Sequence, residues 1–311
     1  MLRYRLRMLA VRLTGCIPTW LLRAFFKSFD VRQDPAEAAG YNVIERNFYT
    51  PIPDVRTIDM SRIRARRELP GIDLNFGGAA VNLARLAPLT RELDAVPDLP
   101  TPGAPFCFDN GSFTDFDAAV LYTMLRDLKP RRYIEVGCGF SSLVSAAALQ
   151  RNIQEGHPCR TTYIDPEPRL DLRDKLGFAE LMLVPIQNVP LSVFRELAPG
   201  DVLFIDTSHV LKLQGDVEYE LLHMIPSLCV GVWIHIHDIF TPYDYPEDWL
   251  TKRLRFAGNE QYAVECLLSG GERFRVELPL YALWQDQREV LLKFFPRGRT
   301  RPQSLWIRRC A

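Results

Sequence analysis

This sequence predicts an α/β fold with a doubly wound, mostly parallel sheet, on three observations. Between residues 115 and 240, five short apolar runs alternate with five stretches of helical spacing. That order builds a parallel sheet covered by helices on both faces. Four of the runs finish in an acid or in His-Asp: Glu135, Asp165, Asp206, and His237 with Asp238. Ligands in such sheets bind outside the carboxyl ends of the strands, so these ends mark the edge of a site. The first run also passes into Gly137-Cys138-Gly139 before its helix, a turn where backbone can approach a ligand closely.

Residues 30–110 are irregular and rich in proline, as in FYTPIPDVRTI, RRELPGIDLN and DAVPDLPTPGAPF. They read as loops with one short helix near 78–87. The expected organisation is an irregular N-terminal extension and cap over 1–110 and the α/β domain over 111–311. DFDAAVLYTMLRDLKP has apolar residues at helical spacing, starts at Asp115 and stops at Pro130. RYIEVG is then a short buried strand, SSLVSAAALQ a helix opened by serines, TTYID a second strand and PRLDLRDKLG a helix closed by glycine. AELMLVPI follows as a third strand, LSVFRELAPG as a helix ended by Pro-Gly, DVLFID as a fourth strand, GDVEYELLHMIPSL as a helix and VGVWIHIHD as a fifth strand. Along that fifth strand Val232, Ile234 and Ile236 point to one side, and Trp233, His235 and His237 to the other. NEQYAVECLLSG is a helix with Asn259 as its N-cap, RFRVEL a strand, and SLWIRR a last strand after a long polar loop.

The 311 residues are 47% hydrophobic, enough for one large α/β domain with an extension. Formal net charge is zero, which leaves no global case for nucleic acid as a partner. The charge is uneven, however. Residues 1–28 carry six Arg or Lys and no acid, and residues 296–311 carry five Arg and no acid. Arg12 and Pro18 interrupt the apolar N-terminal stretch, so it reads neither as a membrane span nor as a signal peptide. It reads as a helix packed on the domain or on another chain; peripheral membrane contact through residues 1–28 is the competing reading. Seven cysteines include no C-x-x-C and are odd in number. This fits a reduced, cytoplasmic chain and not a disulfide framework or a zinc cage.

The glycine turn reads E-x-G-x-G. Glu135 can accept bonds from an ammonium group, and Asp165 at the next strand end can take both hydroxyls of a ribose. A tight turn without ligand is the bland alternative. A dinucleotide fingerprint would need a third glycine at 142, where Ser142 stands.

With these residues in view, IEVGCG, YIDPEPR, VPIQNVP and DVLFID resemble the class I S-adenosylmethionine-dependent methyltransferases. FYTPIPD, LPGIDLN, DNGSF, FIDTSHV, GVWIHIHDIFTPYDYPEDWL and NEQY are similar to a bacterial branch related to cephalosporin-hydroxylase-like and sugar O-methyltransferases. The resemblance spans residues 41–290. It implies a Rossmann-like sheet of seven strands whose last strand runs antiparallel, and S-adenosylmethionine as cofactor. It places Glu135 toward the methionine amino group, with Gly137 and Gly139 lining the cofactor. Ser141 then stands near the carboxylate, Asp165 on the ribose, Asn188 on the adenine edge and Asp206 at the cofactor's margin. Ser141 stands where many members of the class have a third glycine.

Methyl transfer to a hydroxyl requires that the acceptor lose its proton, to a side chain within reach or with help from a divalent metal. His209, His237 and Asp238 are the catalytic candidates. Metal-dependent O-methyltransferases place one carboxylate after the fourth strand and an acidic pair after the fifth; Asp206, His237 and Asp238 are the matching positions. His237 stands where a carboxylate or Asn is usual, which disfavours magnesium and leaves room for a softer ion. His235, two residues deeper, reads as a core histidine. The zinc signature H-x-H-x-D-H is not met, since Asp238 comes one place early and Phe240 takes the last histidine's place. No G-x-S-x-G occurs either.

Two aromatic-rich stretches, FTPYDYPEDW and LPLYALWQDQREVLLKFF, are expected to flank the acceptor, and Glu260 and Gln261 to reach it. The expected function is O-methylation of a hydroxyl on a small molecule or glycan. The alternatives are a non-catalytic S-adenosylmethionine-binding module, and a membrane-docked enzyme acting on a lipid-linked sugar.

Overall fold

A computed structural model describes Leu21 and residues 47–168, 176–251 and 258–311. The chain divides into two units, Met1–Asp54 and Val55–Ala311. In the first unit, the amide of Thr50 donates to the carbonyl of Asn47, closing a turn. The expectations for residues 1–28, Leu21 apart, lie outside the described residues, as does most of the helix predicted over PRLDLRDKLG. Among the described residues, no helix is long and apolar enough to cross a membrane.

The second unit is built on seven strands: β1 Arg132–Val136, β2 Arg160–Ile164, β3 Glu180–Met182, β4 Val202–Ile205, β5 Trp233–Ile236, β6 Phe274–Pro279 and β7 Leu305–Arg309. Their order across the sheet is β3-β2-β1-β4-β5-β7-β6. The pairs from β3 to β5 are parallel, while β7 runs antiparallel to both β5 and β6. The predicted class and the reversed last strand are therefore present. Both faces are covered, as the apolar runs require. Ile134, Val136, Leu203, Ile205, Val232, Ile234 and Ile236 join one core, and Tyr133, Tyr163, Val202, Phe204 and Trp233 join the other. The two-residue alternation read from β5 thus sends its side chains into two separate cores.

The helices are α1 Met60–Arg64, α2 Phe76–Leu86, α3 Asp115–Leu128, α4 Phe140–Gln154, α5 Leu191–Arg195, α6 Asp216–Tyr219, α7 Glu247–Thr251, α8 Glu260–Ser269, α9 Leu280–Asp286 and α10 Arg288–Phe294. The compact unit begins at Val55 and not near the boundary expected at 110. The reason lies in α2: Ala79, Leu83 and Leu86 are buried, and with Leu93, Val96, Phe106 and Phe108 they complete the core that β7 and α3 begin. The loop predicted between the last strands contains α9 and α10, whose Leu280, Leu283, Leu291 and Phe294 are buried in that core. The helix predicted over GDVEYELLHMIPSL is α6 followed by a π turn, Glu220–Met224, and a 3-10 turn, Ile225–Ser227.

Candidate active site

At the end of β1, Gly137 turns with φ of 85°, a left-handed value that glycine adopts freely. A Cβ there would overlap the carbonyl oxygen of Asp206, just past β4. Two strand ends meet at this point, so the glycine turn and the Asp206 loop are one structure. A Cβ on Gly139 would meet nothing within 4 Å, so the front of the turn is open to a ligand. Asp165 reaches over from β2 and takes the amides of Cys138 at 2.8 Å and Glu167 at 2.7 Å, fixing the loop beside it. Asn188 is exposed at the end of a 3-10 turn, Ile186–Asn188.

Glu135 is held differently from the expectation. It is fully buried and accepts hydroxyl bonds from Tyr133 at 2.6 Å, Ser141 at 2.8 Å, Ser142 at 2.7 Å and Ser145 at 2.9 Å. Burial pushes its carboxyl up to about 7, against the pull of those four hydroxyls. The serines that open α4 turn inward to this acid, so neither Glu135 nor the Ser141 hydroxyl is available to a ligand unless these bonds open.

Beyond β4 and β5, His209 and Asp238 are left-handed without being glycine, both with φ of 58°. Such backbone costs about 1–3 kcal/mol per residue and persists only where its surroundings impose it. Between them lies a ring of two aspartates and two histidines. His209 Nε2 is 3.1 Å from Asp238 Oδ2 and 3.3 Å from Asp206 Oδ1. His237 Nδ1 is 3.3 Å from Asp238 Oδ1 and 3.6 Å from Asp206 Oδ2. A further carboxylate lies outside each histidine: Glu260 Oε2 at 2.8 Å from His209 Nδ1, and Asp117 Oδ2 of α3 at 3.8 Å from His237 Nε2.

Four carboxylates around two imidazoles set the protonation of the ring. Burial disfavours charge on His209, but Asp238, Asp206 and Glu260 outweigh it and hold its pKa well above the usual value. For His237 burial is likewise overcome by Asp238 and Asp206, to about 9. Burial also works against the charge on Asp206, yet the two histidines keep it well below the usual carboxylate range. Asp238 is pushed up by burial, with His237 and His209 opposing. The carboxylates therefore favour a proton on both histidines.

Asp206, His209 and Asp238 each offer a ligand atom within 4.8 Å of the others. Two carboxylates and an imidazole suit a divalent ion, so these residues fit one. His209 takes the place expected for His237 in that trio; the Nε2 of His237 is turned to Asp117 and makes no hydrogen bond. His235 is a core residue, stacked on Phe204 at 4.0 Å and bonded through Nε2 to Ser304 Oγ at 2.8 Å.

Sequence reasoning missed the partners of the ring. Glu260 turns inward to His209, while Gln261 binds the amide of Phe240 and the carbonyl of Tyr243. Asp117 is buried and takes the amides of Gln303 and Ser304. Glu220, at the start of the π turn, is fully buried and accepts from Thr207 at 3.2 Å. The available signal was an acid at a buried helical phase in DFDAAV and in VEYELL.

Residues 134–239 match the family model described as a methyltransferase domain. That span runs from β1 to just past Asp238. This region is similar to a methyltransferase domain. An uncharacterized protein of Archaeoglobus fulgidus is 29% identical to this chain over 161 residues, 49% of this chain and 72% of that one. Among solved structures, apo CmcI is 18% identical with a TM-score of 0.41, covering 64% of this chain and 72% of its own. An O-methyltransferase from Bacillus cereus, in complex with SAH, is 13% identical with a TM-score of 0.35, covering 63% of this chain and 82% of its own.

Proposed function

We propose that the methyltransferase moves the methyl group of S-adenosylmethionine onto a hydroxyl oxygen of a small molecule or glycan. The observation that carries this reading is the Asp206–His209–His237–Asp238 ring set directly against the glycine turn, through Gly137 and the Asp206 carbonyl. The open side of Gly139 and the loop held by Asp165 suit the cofactor.

The cofactor supplies an electrophilic methyl on a sulfonium. In the transfer the acceptor oxygen forms the new bond to carbon, the carbon–sulfur bond breaks with its electrons to sulfur, and the hydroxyl proton leaves. Asp238 is the residue that takes that proton. Burial raises its basicity, and its two oxygens lie 3.1 Å from His209 and 3.3 Å from His237. His209 and His237 donate toward the two aspartates and hold the charge of the site. In-line placement beside the turn supplies the rest of the rate, since the reaction asks chiefly for orientation.

Asp206, His209 and Asp238 support a second form of the same reading. These three residues would hold a divalent ion, whose chemistry would be to acidify the acceptor hydroxyl.

Calorimetry with S-adenosylmethionine, with and without EDTA, tests the cofactor and the ion. Transfer from labelled S-adenosylmethionine to a panel of sugar and small-molecule alcohols tests the reaction. Tight binding with no transfer to any alcohol would favour a cofactor-binding module. Activity lost in EDTA and restored by a divalent ion would select the metal form.

A further inference from the structure

We infer that Glu260 is a positioning residue, whose carboxylate grips the Nδ1 edge of His209 and so aims Nε2 between Asp206 and Asp238. This inference rests on the proposed acceptor-side role of that ring. Glu260 is the first residue of α8 and is 1% exposed. An acid placed there only to complement the helix dipole has no need of burial. Its Oε2 lies 2.8 Å from His209 Nδ1, and its Oε1 is buried without a hydrogen bond. Leaving such an oxygen unpaired is costly, and among the described residues the side chain's hydrogen bond goes to the imidazole.

The backbone around Glu260 has the same target. The amides of Asn259 and Glu260 donate to the carbonyl of His209 at 3.0 and 3.2 Å. Asn259 is the N-cap residue of α8, as predicted, and its side-chain oxygen takes the amide of Leu211 at 2.6 Å rather than an amide of the helix. These bonds hold His209 in its left-handed backbone. On the other side of α8, Gln261 takes the amide of Phe240 at 2.7 Å and donates to the carbonyl of Tyr243 at 2.8 Å. Glu265 accepts from Thr241 at 2.7 Å and pairs with Arg67. The helix therefore binds both the loop that carries His209 and the loop that follows Asp238. A histidine with one ring nitrogen held by a carboxylate presents the other in a set direction. Glu260 closes that arrangement from outside the ring.

The test is the long-range proton–nitrogen spectrum of the histidine rings in the full chain, recorded in EDTA. Only five histidines are present, and His209 is assigned by the signal lost in His209→Gln. Wild type should show a proton on His209 Nδ1. Glu260→Gln should retain it, because the amide carbonyl still accepts, and Glu260→Leu should lose it or split the ring between forms. A purely structural Glu260 would lower melting temperature in Glu260→Leu and leave the His209 ring signals unchanged; that result overturns the inference. Should Glu260→Leu fail to fold, the wild-type spectrum decides, since a His209 Nδ1 without a proton overturns the inference equally. These spectra need no acceptor, so their failure is distinct from failure of the functional reading, which methyl transfer by ring variants tests.

Discussion

At Asp238 one carboxylate stands between two imidazoles, 3.1 Å from His209 and 3.3 Å from His237. Asn in its place keeps the shape and removes both the charge and the proton acceptor. Methyl transfer should fall by about 100-fold or more with little change in melting temperature. Full transfer by both Asp238→Asn and His209→Ala would end the catalytic reading of the ring. Glu135 carries a different expectation, about stability. Its folded carboxyl titrates near 7 while the unfolded one titrates near its ordinary 4.5. The folded state therefore holds the extra proton between those values, and stability falls as pH rises through that window. Measured by denaturation, wild type should lose on the order of 3 kcal/mol between pH 4.5 and 7 relative to Glu135→Gln. Parallel curves for the two proteins would show that burial does not outweigh the four hydroxyls at this acid.

Among elements, the turn after β1 is the most sensitive to substitution. Gly137→Ala places a methyl where the Asp206 carbonyl already lies and asks alanine for φ of 85°. The expected cost is about 2 kcal/mol or more, together with weakened S-adenosylmethionine binding, read by denaturation and calorimetry. An alanine variant with wild-type stability and affinity would separate the turn from the Asp206 loop. The strands of this domain were legible because period-2 runs such as VGVWIHI carry their own pattern. Helices α9 and α10 were not. Each has seven residues and they break at Gln287, so neither shows two full turns of helical spacing. The π turn at Glu220 escaped for a related reason, since its i to i+5 bonding leaves a helical hydrophobic pattern nearly unchanged.

For the whole molecule, the division at Asp54/Val55 sets the test. A chain beginning at Val55 contains all seven described strands, both cores and the ring. It should melt cooperatively and bind S-adenosylmethionine as the full chain does. A chain beginning at residue 111 should not, because it lacks Leu83, Leu86, Leu93 and Phe108 from the main core. A Val55 chain that folds but loses the cofactor would give residues 1–54 a part in the pocket.

By itself the sequence determined the α/β class, the order of strands and helices through β5, the glycine turn and the four acidic or His-Asp strand ends. Each of these is local: a period, a turn residue or a terminus is written in adjacent positions. Tertiary structure alone decided which side chains meet. His209 and Asp238 are 29 residues apart and His209 and Glu260 are 51 apart, and no local pattern pairs them. The structure turned Glu135 into a serine cage, set His209 beside Asp206 and Asp238, and placed Glu260 and Asp117 as outer carboxylates. Burial is the physical reason. Once the strand ends pack together, each buried charge must find an opposite charge or a hydroxyl, and the partners it finds depend on the folded arrangement of distant segments.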